Sequence, residues 1–235
     1  MHRMKTSLLF LAFGLSALAA RTAEEFKTAA GVLRITPIQH ASLMIEAGGQ
    51  VIQVDPAQGN FEGLPAADLV LITDIHGDHF SAPTINKVKK PNATVIAPQV
   101  VADQYPGATV MRNGETRKIG AWAIEAVPMY NIKRTQYHDK GRGNGYVITY
   151  GGQRFYFSGD TEGTPEMRAL RNIDVAFVCM NLPYTMPPDE AADAVKAFHP
   201  KIVYPYHYQG SDLKVFETTL QGTGIEVRIR DWYAQ

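Results

Sequence analysis

"VLITDIHGDHFS", residues 70–81, sets two aspartates and two histidines directly behind an apolar run. A short apolar run bounded by polar residues reads as a buried strand. Asp74, His76, Asp78 and His79 then follow as D-x-H-x-D-H. Imidazole nitrogen and carboxylate oxygen are the ligand types of zinc and of neighbouring borderline metals. Residues i, i+2 and i+4 of an extended segment face one side. Asp74, His76 and Asp78 are therefore expected to point together, with Gly77 permitting a bend that turns Asp78 and His79 inward. The competing reading is a solvated turn; the density of ligand types argues against it.

Two later segments repeat the pattern of an apolar strand ending in a ligand type. "RFYFSGDT" reaches Asp160, and "KIVYPYHY" reaches His207. Alone, each is an ordinary turn or core residue. Three strand tips that deliver acids and imidazoles can instead converge on one cation.

Around these tips, strands are expected at "GVLRITPI", on both sides of Gly48-Gly49, and at "ADLVLIT", "ATVIAP" and "WAIEAVPM". Others are expected on both sides of Gly151-Gly152 and at "IDVAFVCM", "KIVYPYHY" and "IEVRIRDWY". The Gly-Gly pairs are hairpin signals. Helical segments are "SAPTINKVKK", "TPEMRALRN", "PDEAADAVKAFHP" and "DLKVFETTLQG". In the third, Ala191, Ala194, Val195 and Phe198 recur at helical spacing, with acids at the start and Pro200 beyond the end. Hairpins dominate the first half and strand–helix alternation the second. That predicts one α/β (α+β) domain with sheets inside and helices outside. No internal repeat is visible.

The chain has 235 residues, of ordinary globular composition. Residues 1–20 join a basic start to the apolar run "TSLLFLAFGLSALAA", which ends in small residues; this is the layout of a secretory signal peptide. The run is too short for a membrane span of roughly 20 apolar residues. The expected organisation is therefore a signal peptide over 1–20, a polar N-terminal segment over 21–30, and one domain over 31–235. The mature protein is expected to be periplasmic or secreted, with no stable membrane insertion. Removing Arg3 and Lys5 from the 23 basic residues leaves 21 against 23 acidic ones. With no basic run, nucleic acid is not an expected partner. Cys179 is the single cysteine and lies in a strand-like apolar setting, so it reads as a structural thiol.

"TDIHGDH" resembles the T-H-x-H-x-D-H signature of the metallo-β-lactamase superfamily, and the later Gly-Asp-Thr and strand-borne His follow in the same order. "IQHASLMIEAGGQVIQVDP" is similar to the opening of the branch that includes ascorbate-phosphate lactonases and N-acyl-phosphatidylethanolamine phospholipases. The resemblance covers about residues 31–235 and implies a four-layer αβ/βα sandwich with its metal site at one edge. It implies one or two divalent ions, zinc first, with manganese or iron as alternatives. His76 would belong to the first ion; Asp78, His79 and His207 to the second; Asp160 would bridge. The chain departs from the signature at Asp74, where the family has His. Asp74 is either a ligand or an orienting partner. The family's middle histidine has no direct match: Tyr130-Asn131 stand near its place, and His138 is offered as a ligand against the reading of an ordinary loop histidine. By the same resemblance His40 and Asp55 would support the ligands.

The implied activity is a metallo-hydrolase acting on a small molecule through a metal-activated water. Asp78 would hold the nucleophile, and His207 or a tyrosine such as Tyr130 would assist the leaving group. Lactone or phosphoester cleavage is favoured; β-lactam cleavage remains compatible. Lys133, Arg134 and Lys140 are weighed as anion-binding groups against a solvated loop. Two other readings stay open: a metal-binding module without hydrolysis, and iron-dependent oxygen chemistry on the same fold.

Overall fold

A computed structural model describes residues 22–233 of the chain. The expected export segment, residues 1–20, lies outside the described residues. β1 (Glu24–Thr28), β2 (Gly31–Gln39), β3 (Ser42–Ala47), β4 (Gln50–Val54), β5 (Ala67–Leu71), β6 (Lys89–Ala97) and β7 (Thr109–Val110) form one sheet in sequence order. The second sheet holds β8 (Thr116–Ile119), β9 (Trp122–Met129), β10 (Gly143–Tyr150), β11 (Gln153–Phe157), β12 (Val175–Cys179), β13 (Ile202–Tyr206) and β14 (Glu226–Val227), also in order. Helices α1 (Ala82–Val88), α2 (Gln99–Ala102), α3 (Pro165–Arg168), α4 (Pro188–Phe198) and α5 (Leu213–Leu220) connect them.

Within each sheet the first three pairings are antiparallel and the last three parallel. The two halves thus share one pairing scheme that the sequence does not reveal as a repeat. Its cause is local: tight turns such as Gly48-Gly49 and Gly151-Gly152 join antiparallel strands, whereas parallel neighbours need longer crossovers.

Alternation along β5 shows the layering. Leu69 and Leu71 enter the core that is shared with Trp122, Ile124 and Tyr146 of the second sheet. Val70 and Ile72 face the other way, onto Ile85 of α1 and Val101 of α2. On the far side α4 buries Ala191, Ala194, Val195 and Phe198, the residues whose spacing predicts it. Burying each large apolar side chain is worth about 1.5–3 kcal/mol, so β5 is a stiff mount for the loop that follows.

Two boundaries differ from the sequence expectation. Residues 24–28 are not a free polar segment; they form β1, antiparallel to β2. Phe26 is buried against Phe155. Glu24 accepts from the Tyr204 hydroxyl and pairs with Arg228 and Arg230. β1 therefore belongs to the first sheet of the domain. At the other end, "IEVRIRDWY" pairs as a strand only over β14. Beyond it Trp232 packs its ring against Phe177 and Tyr206, which draws the chain off the sheet edge.

Candidate metal centre

Six chain segments carry the site, each leaving a strand. His40 sits between β2 and β3, Asp55 follows β4, and residues 73–79 follow β5. Tyr130 to His138 follow β9, Asp160 follows β11, and His207 follows β13. His40, Asp55 and His207 adopt left-handed φ of 56°, 45° and 47°. Such backbone is uncommon outside glycine and costs on the order of 1–3 kcal/mol per residue. Of the five described non-glycine residues with positive φ, these three lie at the site, so backbone strain is concentrated there. Gly159, at φ 60°, must be glycine for a second reason: a Cβ would stand 2.5 Å from Met129 Sδ and 3.0 Å from Thr73 Cβ. That close approach sets Asp160 beside the loop after β5.

The loop after β5 is not extended. The carbonyl of His76 accepts from the N–H groups of His79 and Phe80, closing a turn. Gly77 has no left-handed φ and no close neighbour, so it does not impose the bend. The expected common face of Asp74, His76 and Asp78 is thereby split. The turn sends Asp78 and His79 to one cluster, with Asp160 and His207, and leaves Asp74 and His76 in another, with His138.

In the first cluster, His207 Nε2 lies 3.2 Å from Asp78 Oδ2 and 3.3 Å from Asp160 Oδ1; His79 Nε2 lies 3.4 Å from Asp160 Oδ2. Two ligands each about 2.1 Å from a tetrahedral zinc stand roughly 3.4 Å apart, so these spacings fit one ion. His79 Nε2, His138 Nε2 and Asp160 Oδ1 are buried and have no hydrogen-bond partner. Buried polar atoms are almost always satisfied; uncommitted ones on neighbouring side chains fit a shared cation.

Supporting contacts orient this set. Asp55 accepts from the Thr73 N–H at 2.7 Å and the Thr73 hydroxyl at 2.6 Å, and its Oδ2 lies 2.8 Å from His79 Nδ1. That carboxylate directs His79 Nε2 toward Asp160, the arrangement by which outer carboxylates orient metal-binding histidines. His40 places Nε2 3.2 Å from Asp78 Oδ2 and Nδ1 2.7 Å from the Tyr233 hydroxyl. Cys179 is buried behind Asp160, and burial pushes its thiol up to about 12; it is structural.

His138 reaches the site by a loop closure that spacing conceals. Asn131 N–H donates to the His138 carbonyl at 2.9 Å, returning the chain to the end of β9. The Asn131 side chain holds the carbonyls of Arg134 and Tyr184 and meets His138 Nδ1 at 3.2 Å. Buried Glu162 accepts from the N–H groups of Ile132 and Lys133 and pairs with Arg134. His138 Nε2 then stands 3.3 Å from Asp160 Oδ2.

Several expected roles are corrected by position. The Tyr130 hydroxyl donates to Glu166 at 2.9 Å, so it is turned to Glu166 rather than to the cluster. The tyrosines that line the cavity over the site are Tyr137 and Tyr184. Lys133 pairs with Glu190, Arg134 with Glu162 and Lys140 with Glu166, in keeping with the reading of a solvated loop. Asp74, fully buried, is engaged by Arg142, whose Nη2 lies 2.8 Å from Asp74 Oδ2; His76 Nδ1 lies equally close to that oxygen. Arg142 is the site residue that sequence reasoning missed. It stands in a Gly-rich stretch that reads as a plain turn.

The cavity above the cluster measures about 390 Å³ and is floored by His76, Asp78, His138, Asp160 and His207. Gln58, Asn181 and Gln209 add uncharged polar walls.

A family model described as a beta-lactamase superfamily domain matches residues 34–207. The chain belongs to the β-lactamase superfamily. Over 229 residues it is 29% identical to a UPF0173 metal-dependent hydrolase of Deinococcus radiodurans, covering 85% of this chain and 97% of that protein. Over 187 residues it is 34% identical to a relative of the same description in Nanoarchaeum equitans, covering 75% and 84%. A crystal structure described as a metal-dependent hydrolase from Parabacteroides distasonis superposes with TM-score 0.87 at 42% identity, covering 90% of this chain and 99% of that one. The metallo-hydrolase Igni18 from Ignicoccus hospitalis superposes with TM-score 0.72 at 23% identity, covering 85% and 95%, and shares the fold. These relatives carry the superfamily membership; their names do not select the lactonase and phospholipase branch.

Burial alone would lower the pKa of His79, but the carboxylates of Asp160 and Asp55 outweigh it and raise it well above 6.5. A group raised in this way stabilises the metal-free fold fully below its unfolded value, and that contribution is lost as pH rises through the folded value. Metal binding requires the nitrogen without its proton. The rise in Tm on adding zinc is therefore expected to grow as the pH is raised from about 6.5 upward. Thermal melts with and without zinc across that range check this, and an increment that stays constant or shrinks contradicts it.

Proposed function

We propose that this metal-dependent hydrolase cleaves an ester-type bond of a small molecule, lactone before phosphoester and both before β-lactam. The observation that carries the reading is the cavity: imidazole and carboxylate atoms on its floor, neutral amides on its walls, and the nearby cations Lys133, Arg134 and Arg142 already paired with carboxylates. An uncharged ester suits such walls better than a substrate that must be held by its own negative charge.

Asp78, His79, Asp160 and His207 would hold the ion, with zinc favoured by the mixed imidazole–carboxylate set. A divalent ion bound there supplies a Lewis acid and lowers the pKa of a bound water from about 16 toward about 7. The other tasks fall to the chain's own side chains. Without the ion, burial would raise the Asp78 pKa, but hydrogen bonds from His207 and His40 hold it far below the usual carboxylate range; an ion bound between them would take over from His207. Asp78 is thus a permanent acceptor, part-exposed to the cavity, that orients the attacking water. His40 is kept neutral chiefly by burial, and with Tyr233 behind it fixes the Asp78 carboxylate. Tyr137 or Tyr184 takes the place expected of Tyr130 and donates its hydroxyl proton to the leaving oxygen. The basic, apolar and small-residue layout of residues 1–20 supports action outside the cytoplasm.

The test is a panel of lactones, nitrophenyl phosphodiesters and a chromogenic cephalosporin offered to zinc-loaded protein. Lactones are expected to turn over fastest. Preference for the cephalosporin, or zinc binding with no turnover of any class, overturns the reading.

A further inference from the structure

We propose that the Arg142 guanidinium stands where a second metal ion would bind, so that the chain carries a one-metal centre with a built-in organic cation beside it. The inference rests on the proposed ion at Asp78, His79, Asp160 and His207 and concerns what lies next to it.

Asp74, His76 and His138 bring their ligand atoms within 4.8 Å of one another, which by spacing alone is a second metal cluster. His138 Nε2 stands 3.7 Å from Asp74 Oδ2, but the contact between Asp74 and His76 is that of a hydrogen bond. Asp74 Oδ2 and His76 Nδ1 are 2.8 Å apart. Two ligands of one tetrahedral ion stand roughly 3.4 Å apart, so this pair is closed on itself. Arg142 closes on the same pair. Its Nε donates to Asp74 Oδ1 at 3.1 Å and its Nη2 to Asp74 Oδ2 at 2.8 Å, a two-pronged grip on the carboxylate. Nη2 also lies 3.4 Å from each ring nitrogen of His76.

The backbone holds Arg142 there. Its own N–H donates to Asp139, and two residues on the Asn144 N–H donates to the Thr73 carbonyl, next to Asp74. A Cβ on the intervening Gly143 would meet that same carbonyl at 2.9 Å. The start of β10 is therefore pressed against the loop that carries Asp74.

Charge explains the exchange. Asp at position 74 puts a carboxylate into full burial, which demands a cation. A guanidinium satisfies it and does not lose its proton. A second metal would have to enter against that fixed positive charge, with both Asp74 oxygens already taken. His138 Nε2 is then left as the uncommitted donor of this cluster, too little to hold an ion.

Full-length protein is loaded with zinc, dialysed and analysed for metal, and separately loaded with manganese(II) for electron paramagnetic resonance. The wild type is expected to hold one ion per chain and to give an uncoupled manganese spectrum. Arg142→Met is expected to gain a second ion through the freed Asp74, His76 and His138, whereas Arg142→Lys stays at one. Two zinc ions per chain, or a spin-coupled manganese pair, in the wild type overturn the proposal, as does a folded Arg142→Met that still holds one. The wild-type spectrum decides the matter even if Arg142→Met does not fold. A wild type that binds no metal sinks the metal-centre reading, and this proposal with it.

Discussion

Asp160→Asn is expected to abolish metal binding and lower turnover by more than about 100-fold, because loss of even an outer partner of a metal ligand costs about 10–100-fold. The carboxylate stands within 3.3 to 3.4 Å of the Nε2 atoms of His79, His138 and His207. Burial would raise its pKa, yet His207, His79 and His138 hold it well below the carboxylate range. It is the one acid that touches all three imidazoles. Asparagine keeps the volume but loses the charge that draws the imidazoles and a cation to the same point. The fold should persist, since Gly159 and β11 set the backbone independently of the side chain. Metal analysis and turnover on the best substrate, with circular dichroism as the folding control, check this. Retained zinc with turnover near wild type would remove Asp160 from the centre.

Asp55→Ala is expected to cost about 3–5 kcal/mol of stability, the usual cost of breaking a buried charged network from one side. Fully buried, Asp55 accepts from the Thr73 N–H and hydroxyl and faces His79 Nδ1. Alanine leaves these groups buried without a partner. Zinc affinity should also fall by about 10–100-fold, because nothing then fixes which His79 nitrogen faces the ion. Urea unfolding of the metal-free protein and zinc titration separate the two effects. A stability loss with unchanged zinc affinity would mean that Asp55 only supports the fold.

Hairpins were legible where local chemistry dictates them. Gly48-Gly49 and Gly151-Gly152 each sit between runs of strand formers, and the structure turns the chain there. α4 was legible because its buried positions recur at helical spacing. β1 was not. Its composition is polar, and what holds it is Arg230, 206 residues away, together with Phe155. β8, exposed along most of its length, carries little apolar signal and exists by pairing with β9.

At the site, Asp78, His79, Asp160 and His207 could be singled out because each lies in the segment that follows an apolar strand, and strand ends are local features. His138 stayed ambiguous because a folded-back loop, tied by Asn131 and Glu162, separates it from β9. The role of Asp74 could not be read at all without Arg142, 68 residues on.

The sequence by itself determined the strands, the main turns and the stock of ligand-type side chains, because periodicity and turn chemistry act over a few residues. Tertiary structure alone decided which nitrogen and oxygen atoms face one another, which carboxylate is left for a cation and which is neutralised by an arginine. Those outcomes depend on distances between segments that only the packing of the two sheets brings together.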